Sequence, residues 1–377
     1  MVPELNKPAV IGAGPAGCMA AYYLQNVFGV TLFDPSEPLK TLLATGGGRC
    51  NLAYAQYDFK ELAKFYPRGE KFLYSVFSKF AAADTLEFFK QLGVETYTQP
   101  DNRIFPVSNS AKDVREKFLN ALKKCRFVKE KVLGINVLNE GFEVVTDKKN
   151  YSFDKIVIAS GGHSSYDIVR SLGHTVVEPK PALTGLKTKE NFKALAGVSI
   201  QVNGENLLFT HGGISGPLAY KISSINARAD FPYRISLDFV GEVDLQAMLN
   251  DNPHKSLKNL LSELVPKSLA VYILGGLSDE KCHKTDGKTR DEILRRLRNF
   301  EITVTGASKG GEVVTCGGVA LSEVNPKTLE SKLVKGICFC GEVLDIDGFC
   351  GGFNLQNCWS TGFTAADYLS GMYRNKS

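Results

Sequence analysis

The sequence predicts an α/β protein in which both chain ends build one parallel-sheet domain, with a β-rich domain and a small helical domain inserted between them. Three observations predict this. Pro8–Ile11 is a short apolar run that ends at Gly12; an alanine-rich segment from Pro15 to Gln25 and a second apolar run, Val30–Phe33, follow it. Strand, helix and strand within about 30 residues is the size of a βαβ unit. Ile156–Ser160 is a continuous apolar run closed by Gly161-Gly162, the pattern of a strand buried on both faces. Ile337–Cys340 is a third such run, followed by a glycine-rich turn and a helical segment from about Asn354 to Tyr373.

The stretches between these runs take their elements from periodicity. Residues 58–125 read as helical, with Phe72, Val76, Phe77 and Phe80 at helical spacing. Asp101–Ser110 reads as a polar, proline-containing loop. Residues 126–146 alternate as strands do, with a turn near Asn139–Gly141. Residues 185–240 carry short alternating runs (Val198–Val202, Asn206–Thr210, Tyr233–Phe239) cut by glycine or proline, which predicts an antiparallel β domain. Residues 243–300 are charged and helical, and 302–304 return to a β-branched run.

Bulk composition narrows the class. The chain has 377 residues, 44% hydrophobic and 23% charged, the balance of a globular protein of two or three domains. Its net charge is +5, but no lysine- and arginine-dense run with interleaved aromatics marks a nucleic-acid partner. A mild basic excess equally suits a polyanionic cofactor. The nine cysteines form no CxxC pair, which fits a reduced, intracellular chain. With no signal-peptide pattern and no membrane-length apolar run, the expectation is a cytoplasmic protein without a membrane partner.

The chemistry begins at Ile11-Gly12-Ala13-Gly14-Pro15-Ala16-Gly17, a G-x-G-x-x-G loop between strand and helix. Gly12 allows the tight turn, Gly14 lets the backbone approach a pyrophosphate, and Gly17 lets helix and strand pack closely. The helix N-terminus then offers free N–H groups to the phosphates. Asp34 ends the second strand, near the ~20-residue spacing at which a carboxylate meets an adenosine ribose. This loop alone leaves NAD and FAD both open.

Three further loops bear on the choice. Thr45-Gly46-Gly47-Gly48-Arg49-Cys50-Asn51 combines a glycine backbone able to form an anion nest with a fixed positive charge. The strand at Ile156 opens into Ser160-Gly161-Gly162. Near the C-terminus, Gly341-Glu342-Val343-Leu344-Asp345 leads to Gly351-Gly352-Phe353-Asn354-Leu355 at a helix start, whose positive end would stabilise negative charge on a reduced flavin. Glu342 or Asp345 would take ribityl hydroxyls.

Together these motifs resemble the HI0933-like flavoproteins, a family also labelled NAD(P)/FAD-dependent or aminoacetone-oxidase-like. The resemblance rests on GAGPAG, TGGGRCN, RIFP at Arg103–Pro106, IASGG, LLFTHGGISGPL at Leu207–Leu218, TCGGVAL at Thr315–Leu321 and GEVLDIDGFCGGFNLQ, and runs along most of the chain. It implies a Rossmann-type FAD-binding domain over residues 1–186 and 305–377, an inserted β-rich domain over 187–241 and 300–304, and a helical subdomain over 242–299. It implies cofactor contacts along Gly12, Gly14, Ala16, Gly17, Asp34, Thr45, Gly47, Gly48, Arg49, Asn51, Ser160, Gly161, Gly162, Gly341, Glu342, Asp345, Gly352, Phe353, Asn354 and Leu355. The chain departs from the family in two places. Thr41, with Lys40 before it, stands where the family usually has lysine, and the glycine-rich loop that normally follows the GG pair is missing between Gly162 and Arg170.

These features predict a FAD-dependent oxidoreductase acting on a small organic substrate, by C=C reduction or amine oxidation. No second G-x-G-x-x-G is present, so NADH or NADPH would bind only transiently as reductant. An RNA-modifying or RNA-binding flavoprotein, and a flavin-binding protein with little turnover, are the alternatives. His211 and Cys350 are the catalytic candidates, with Ser215, His163, Tyr166 and Arg103 as further pocket groups. No histidine and carboxylate spacing predicts a metal.

Overall fold

The computed structural model describes residues 7–162, 164–308 and 314–374. It divides into two compact units, Met1–Lys180 with Val314–Ser377, and Pro181–Val313.

The first unit is built on a five-stranded sheet in the order Ile337–Phe339, Lys155–Ile158, Pro8–Ile11, Thr31–Phe33, Arg126–Val128. Every pairing is parallel, and Ile11 lies between Ile158 and Phe33. The three central strands are apolar because both their faces are covered. Two helices pack together beside the sheet. Pro15–Leu24 starts with proline where no N–H is needed, and seven of its residues are buried. Phe353–Arg374 brings Gly362 so close that a Cβ there would sit 2.5 Å from the Ala16 carbonyl oxygen. Trp359 on this second helix is fully buried, donates its indole N–H to the Leu52 carbonyl (3.0 Å) and meets Phe89 edge-on. Burying a side chain of that size contributes roughly 2–3 kcal/mol.

Two small antiparallel sheets and a two-stranded pairing of Val176–Ala182 with Val314–Val319 complete this unit. One joins Val132–Val137, Phe142–Thr146 and Asn150–Phe153. The other joins Ala53–Tyr54, Arg103–Pro106 and Thr96–Thr98. The second corrects two expectations. Thr96–Thr98 interrupts the helical stretch read over 58–125, and Arg103–Pro106 is a strand inside the segment read as a polar loop. The strand is short and ends on proline, so its polar flanks hide the buried pair Ile104 and Phe105. A tight turn with Asn102 at φ +63° returns the chain into it.

The second unit holds a six-stranded antiparallel sheet in the order Ser199–Val202, Glu205–Thr210, Gly213–Ser215, Leu186–Thr188, Phe300–Ala307, Tyr233–Leu237. Helices Leu245–Asp251, Leu257–Leu261, Lys267–Leu274 and Gly287–Arg298 follow the sequence periodicity, and Asp244 and Asp286 cap two of them. Gly216–Ile225 is also helical, within the stretch read as purely β. Its Gly-Pro start looks like a loop signal, yet proline in the first turn is where a helix tolerates it. This unit has its own core, centred on Phe192, Phe209, Leu260, Leu297 and Phe300.

Two buried polar links tie distant segments of the first unit. Arg68 grips Asp347 through two guanidinium nitrogens, and the aspartate is completely buried. His174 lies between Glu323 (Nδ1, 3.1 Å) and Ser331 (Nε2, 2.8 Å). Ser331 Oγ already accepts the N–H groups of Leu333 and Val334, so its proton goes to His174 Nε2. The imidazole is then neutral, with Nδ1–H donating to Glu323.

Asp347→Asn should lower the urea midpoint by the equivalent of about 3–5 kcal/mol, because Arg68 keeps a buried charge without its partner. Replacing both residues with apolar ones of similar volume should recover most of that loss. Burial holds the His174 pKa below the usual histidine range, against an upward pull from Glu323. The unfolded chain therefore binds a proton that the fold resists once pH falls through roughly 6.5. Stability should decline with falling pH in that window, and His174→Gln should flatten the decline in a series of denaturation curves.

Candidate dinucleotide site

The glycines of the first loop have different neighbours. A Cβ on Gly12, which sits at φ +100°, would lie 2.3 Å from the Ala159 carbonyl oxygen. On Gly17 it would lie 1.9 Å from the Gly12 carbonyl oxygen. Both positions are glycine because the protein's own backbone occupies the space. On Gly14 the nearest atom would be Thr41 Oγ1 at 4.0 Å, and the backbone there is ordinary extended chain. Nothing among the described contacts requires a glycine at 14, and the space beside it is open. A pyrophosphate at the N-terminus of helix Pro15–Leu24 fits that opening.

Asp34 closes the loop from the side. Its Oδ2 accepts the Ala13 N–H (2.8 Å), and its Oδ1 accepts the Ser36 N–H (2.8 Å) and hydroxyl (2.7 Å). A carboxylate has about four lone-pair positions, so capacity for one ribose hydroxyl is left.

The second loop is tighter than a free nest. Lys40–Gly48 forms 3-10 turns, and Gly46, Gly47 and Gly48 take φ of +57°, +67° and +85° in succession. Thr45 Oγ1 donates to the Leu42 carbonyl (2.7 Å). The Arg49 guanidinium lies over the Phe105 ring at 4.1 Å, so the ring of the corrected strand holds the charge in place. Asn51 is buried, with its amide nitrogen facing the carbonyls of Ala53 (3.0 Å) and Ile104 (3.2 Å) and its oxygen facing the Gly352 N–H (3.0 Å). That side chain joins the second loop to the C-terminal one. Burial pushes the neighbouring Cys50 thiol up to about 12.

At the third loop, Ser160 and Ser164 bond each other's carbonyls (3.2 and 2.8 Å). Gly161 is open, with φ +76°. A Cβ on Gly162 would strike Thr315 Oγ1 at 2.5 Å and reach Glu342 Cδ at 3.2 Å. His163 lies outside the described residues.

The C-terminal loop is held by side chains expected to face the cofactor. A Cβ on Gly341 would come within 2.6 Å of Ala16 Cβ, and its N–H donates to Thr361 Oγ1 (2.9 Å). Glu342 is half-buried and accepts the Thr315 N–H at 2.7 Å, while Asp345 is buried. Gly352, at φ +92°, abuts the Ala53 carbonyl. Phe353 stacks on Phe65 (4.5 Å, 12°) and touches Tyr54 and Tyr66. Asn354 clasps both the N–H and the carbonyl of Gly348 at 2.9 Å, and Leu355 belongs to the core. At 353–355 the side chains shape the loop, which leaves backbone N–H groups at the helix start for a ligand.

Cys350 is exposed beside Gly351. His211 is exposed in the turn between Glu205–Thr210 and Gly213–Ser215, and Ser215 bonds Tyr220 (3.4 Å); both belong to the second unit. Arg103 pairs with Asp101 at 3.3 Å. Sequence reasoning missed Tyr66, whose hydroxyl donates to the Phe353 carbonyl (2.6 Å), and the Arg68–Asp347 clasp. The only available signal was the closely spaced Asp345 and Asp347 within a glycine-rich run. Among the described residues no helix is long and apolar enough to cross a membrane, and no cluster of three metal-ligating side chains occurs.

The glycine contacts separate two substitutions that look alike. Gly14→Val should give a folded protein, with apoprotein stability within about 1 kcal/mol of wild type, that purifies without flavin. Gly17→Val should fail to fold, because its side chain collides with backbone. Visible absorbance and thermal melting of both variants check this.

The family model described as HI0933-like protein Rossmann domain matches residues 6–368. The chain is 28% identical over 406 residues to a 3-dehydro-bile acid delta(4,6)-reductase of Clostridium scindens, covering 96% of this chain and 98% of the relative. It is 28% identical over 395 residues to a ribosomal RNA dihydrouridine synthase of Escherichia coli, covering 96% and 97%. Among solved structures, a 3-ketosteroid delta1-dehydrogenase from Sterolibacterium denitrificans shares the fold, with a TM-score of 0.51, 12% identity, and coverage of 97% of this chain and 100% of that one. The chain belongs to the HI0933-like family, FAD-dependent oxidoreductases built on a Rossmann domain.

Proposed function

We propose that this enzyme reduces a carbon–carbon double bond conjugated to a carbonyl in a small organic substrate, with NADH or NADPH as a transiently bound reductant. The observation that carries the reading is near-full-length similarity to relatives whose names describe one chemistry. A delta(4,6)-reductase of a 3-dehydro compound saturates double bonds in line with a ketone. Dihydrouridine arises when the double bond beside a uracil carbonyl is reduced. FAD, when bound, supplies the hydride for such a reaction.

The chain's own residues supply binding and orientation. Gly14 and the N-terminus of helix Pro15–Leu24 take the pyrophosphate, and Asp34 takes the adenosine ribose. Glu342 and Asp345 hold the ribityl chain, and the helix that starts at Phe353 turns its positive end toward the ring. Saturating the bond also needs one proton, for which Cys350 and His211 are the candidate donors. No disulfide joins the described cysteines, which supports a cytoplasmic setting. In a second reading the double bond belongs to uridine in RNA, favoured by similarity to two ribosomal RNA dihydrouridine synthases.

The test is anaerobic. NADH or NADPH should bleach the yellow protein, and a cyclic enone should restore the colour and leave the saturated ketone. Recolouring by ribosomal RNA fragments but by no enone would select the second reading. Bleaching by an amine alone would make the enzyme an amine oxidase. A colourless protein that FAD fails to reconstitute would contradict the cofactor itself.

A further inference from the structure

We infer that the Tyr166 hydroxyl binds the ribityl chain of FAD, together with the carboxylates of Glu342 and Asp345. The inference rests on the cofactor reading above and extends it to a residue for which sequence motifs gave no such role. Tyr166 opens the short helix Tyr166–Ser171 immediately after the turn at Ser160–Ser164. The residue is 9% exposed, and its hydroxyl is buried with no hydrogen-bond partner. Buried hydroxyls are nearly always paired, so an unpaired one calls for a partner from outside the chain.

The surroundings define what kind of ligand. Gly162, four residues before the tyrosine, is pressed against Thr315 and Glu342, and the Thr315 N–H orients the Glu342 carboxylate. Burial, followed by the charges of Glu342 and Asp345, pushes the Tyr166 pKa up, so the phenol keeps its proton. Carboxylates only accept hydrogen bonds, whereas a protonated phenol also donates one. A chain of hydroxyl groups matches this set, because each hydroxyl donates to a carboxylate and can accept from the phenol. A phosphate would meet two negative charges and one donor.

Sheet order indicates which hydroxyls. The Gly12–Gly17 loop leaves the end of Pro8–Ile11. Asp34 follows the neighbouring strand on one side, Thr31–Phe33. Tyr166 follows Lys155–Ile158 on the opposite side, and Glu342 follows Ile337–Phe339 beyond it. Neighbouring strands lie about 4.8 Å apart, so the ends of these two strands lie roughly 5–10 Å from the end of Pro8–Ile11, on the side away from Asp34. With adenosine toward Asp34, the flavin half runs toward Tyr166.

The experiment compares wild type with Tyr166→Phe, which removes the hydroxyl and keeps the ring. Deflavinated proteins are titrated with FAD and with ADP, and their melting temperatures are recorded without ligand. The variant should bind FAD about 10-fold more weakly and ADP unchanged. Its apoprotein should melt at the same temperature or about 2 °C higher, since an unpaired buried hydroxyl has gone. Unchanged FAD affinity would overturn the inference. So would an equal loss for ADP, which would move the hydroxyl to the adenosine half, or a lower apoprotein melting temperature, which would make it structural. Failure of the wild type itself to bind FAD would instead overturn the cofactor reading on which the inference rests.

Discussion

The first unit depends on one close approach, in which backbone replaces side chain around the helix Pro15–Leu24. Gly17 lies against the Gly12 carbonyl, Gly362 against the Ala16 carbonyl, and Gly341 against Ala16 Cβ. Each contact is shorter than a side chain would allow. The helix is thereby fixed between the loop after the central strand and the C-terminal helix, with its N-terminus pointing at a definite place. That N-terminus is where a phosphate gains most from free N–H groups and the helix dipole. The placement of this helix start and the packing of the core are set by the same few atoms.

The C-terminal segment shares this constraint. Gly341 cannot reach Ala16 unless the strand Ile337–Phe339 pairs with Lys155–Ile158, and that pairing carries Glu342 toward Gly162 and Thr315. Asn51, Tyr66 and the Arg68–Asp347 pair then pin the loop before the last helix. Rigid support of this kind suits a redox cofactor, whose chemistry is its own but whose orientation the protein must fix. Side chains at 353–355 are spent on that support, which leaves the main chain at the helix start as the part open to a ligand.

Much of the fold was legible in the sequence. The parallel strands are short unbroken apolar runs because both faces are buried, and the glycines stand where turns and close approaches need them. Two of the misread segments share a physical cause. Arg103–Pro106 and Gly216–Ile225 carry proline or glycine at their ends, and those residues signal loops only when no neighbouring strand or first helical turn receives them. Local composition cannot distinguish the two cases, because the partner strand is far away in the chain.

The sequence by itself determined the class of the site. Glycine spacing, a carboxylate at the end of the second strand and the family motifs identify a flavin dinucleotide enzyme, because each motif is a local backbone requirement. Tertiary structure decided which residues in those motifs face space and which face protein. Gly14 opens outward while Gly12 and Gly17 are filled from within, and Asn51, Phe353 and Asn354 turn inward as braces. Tyr166 acquires its place only when three strand ends meet, since its unpaired hydroxyl is a property of packing. Spacing along a chain fixes what a residue can do, and the distance to residues from other segments fixes what it does.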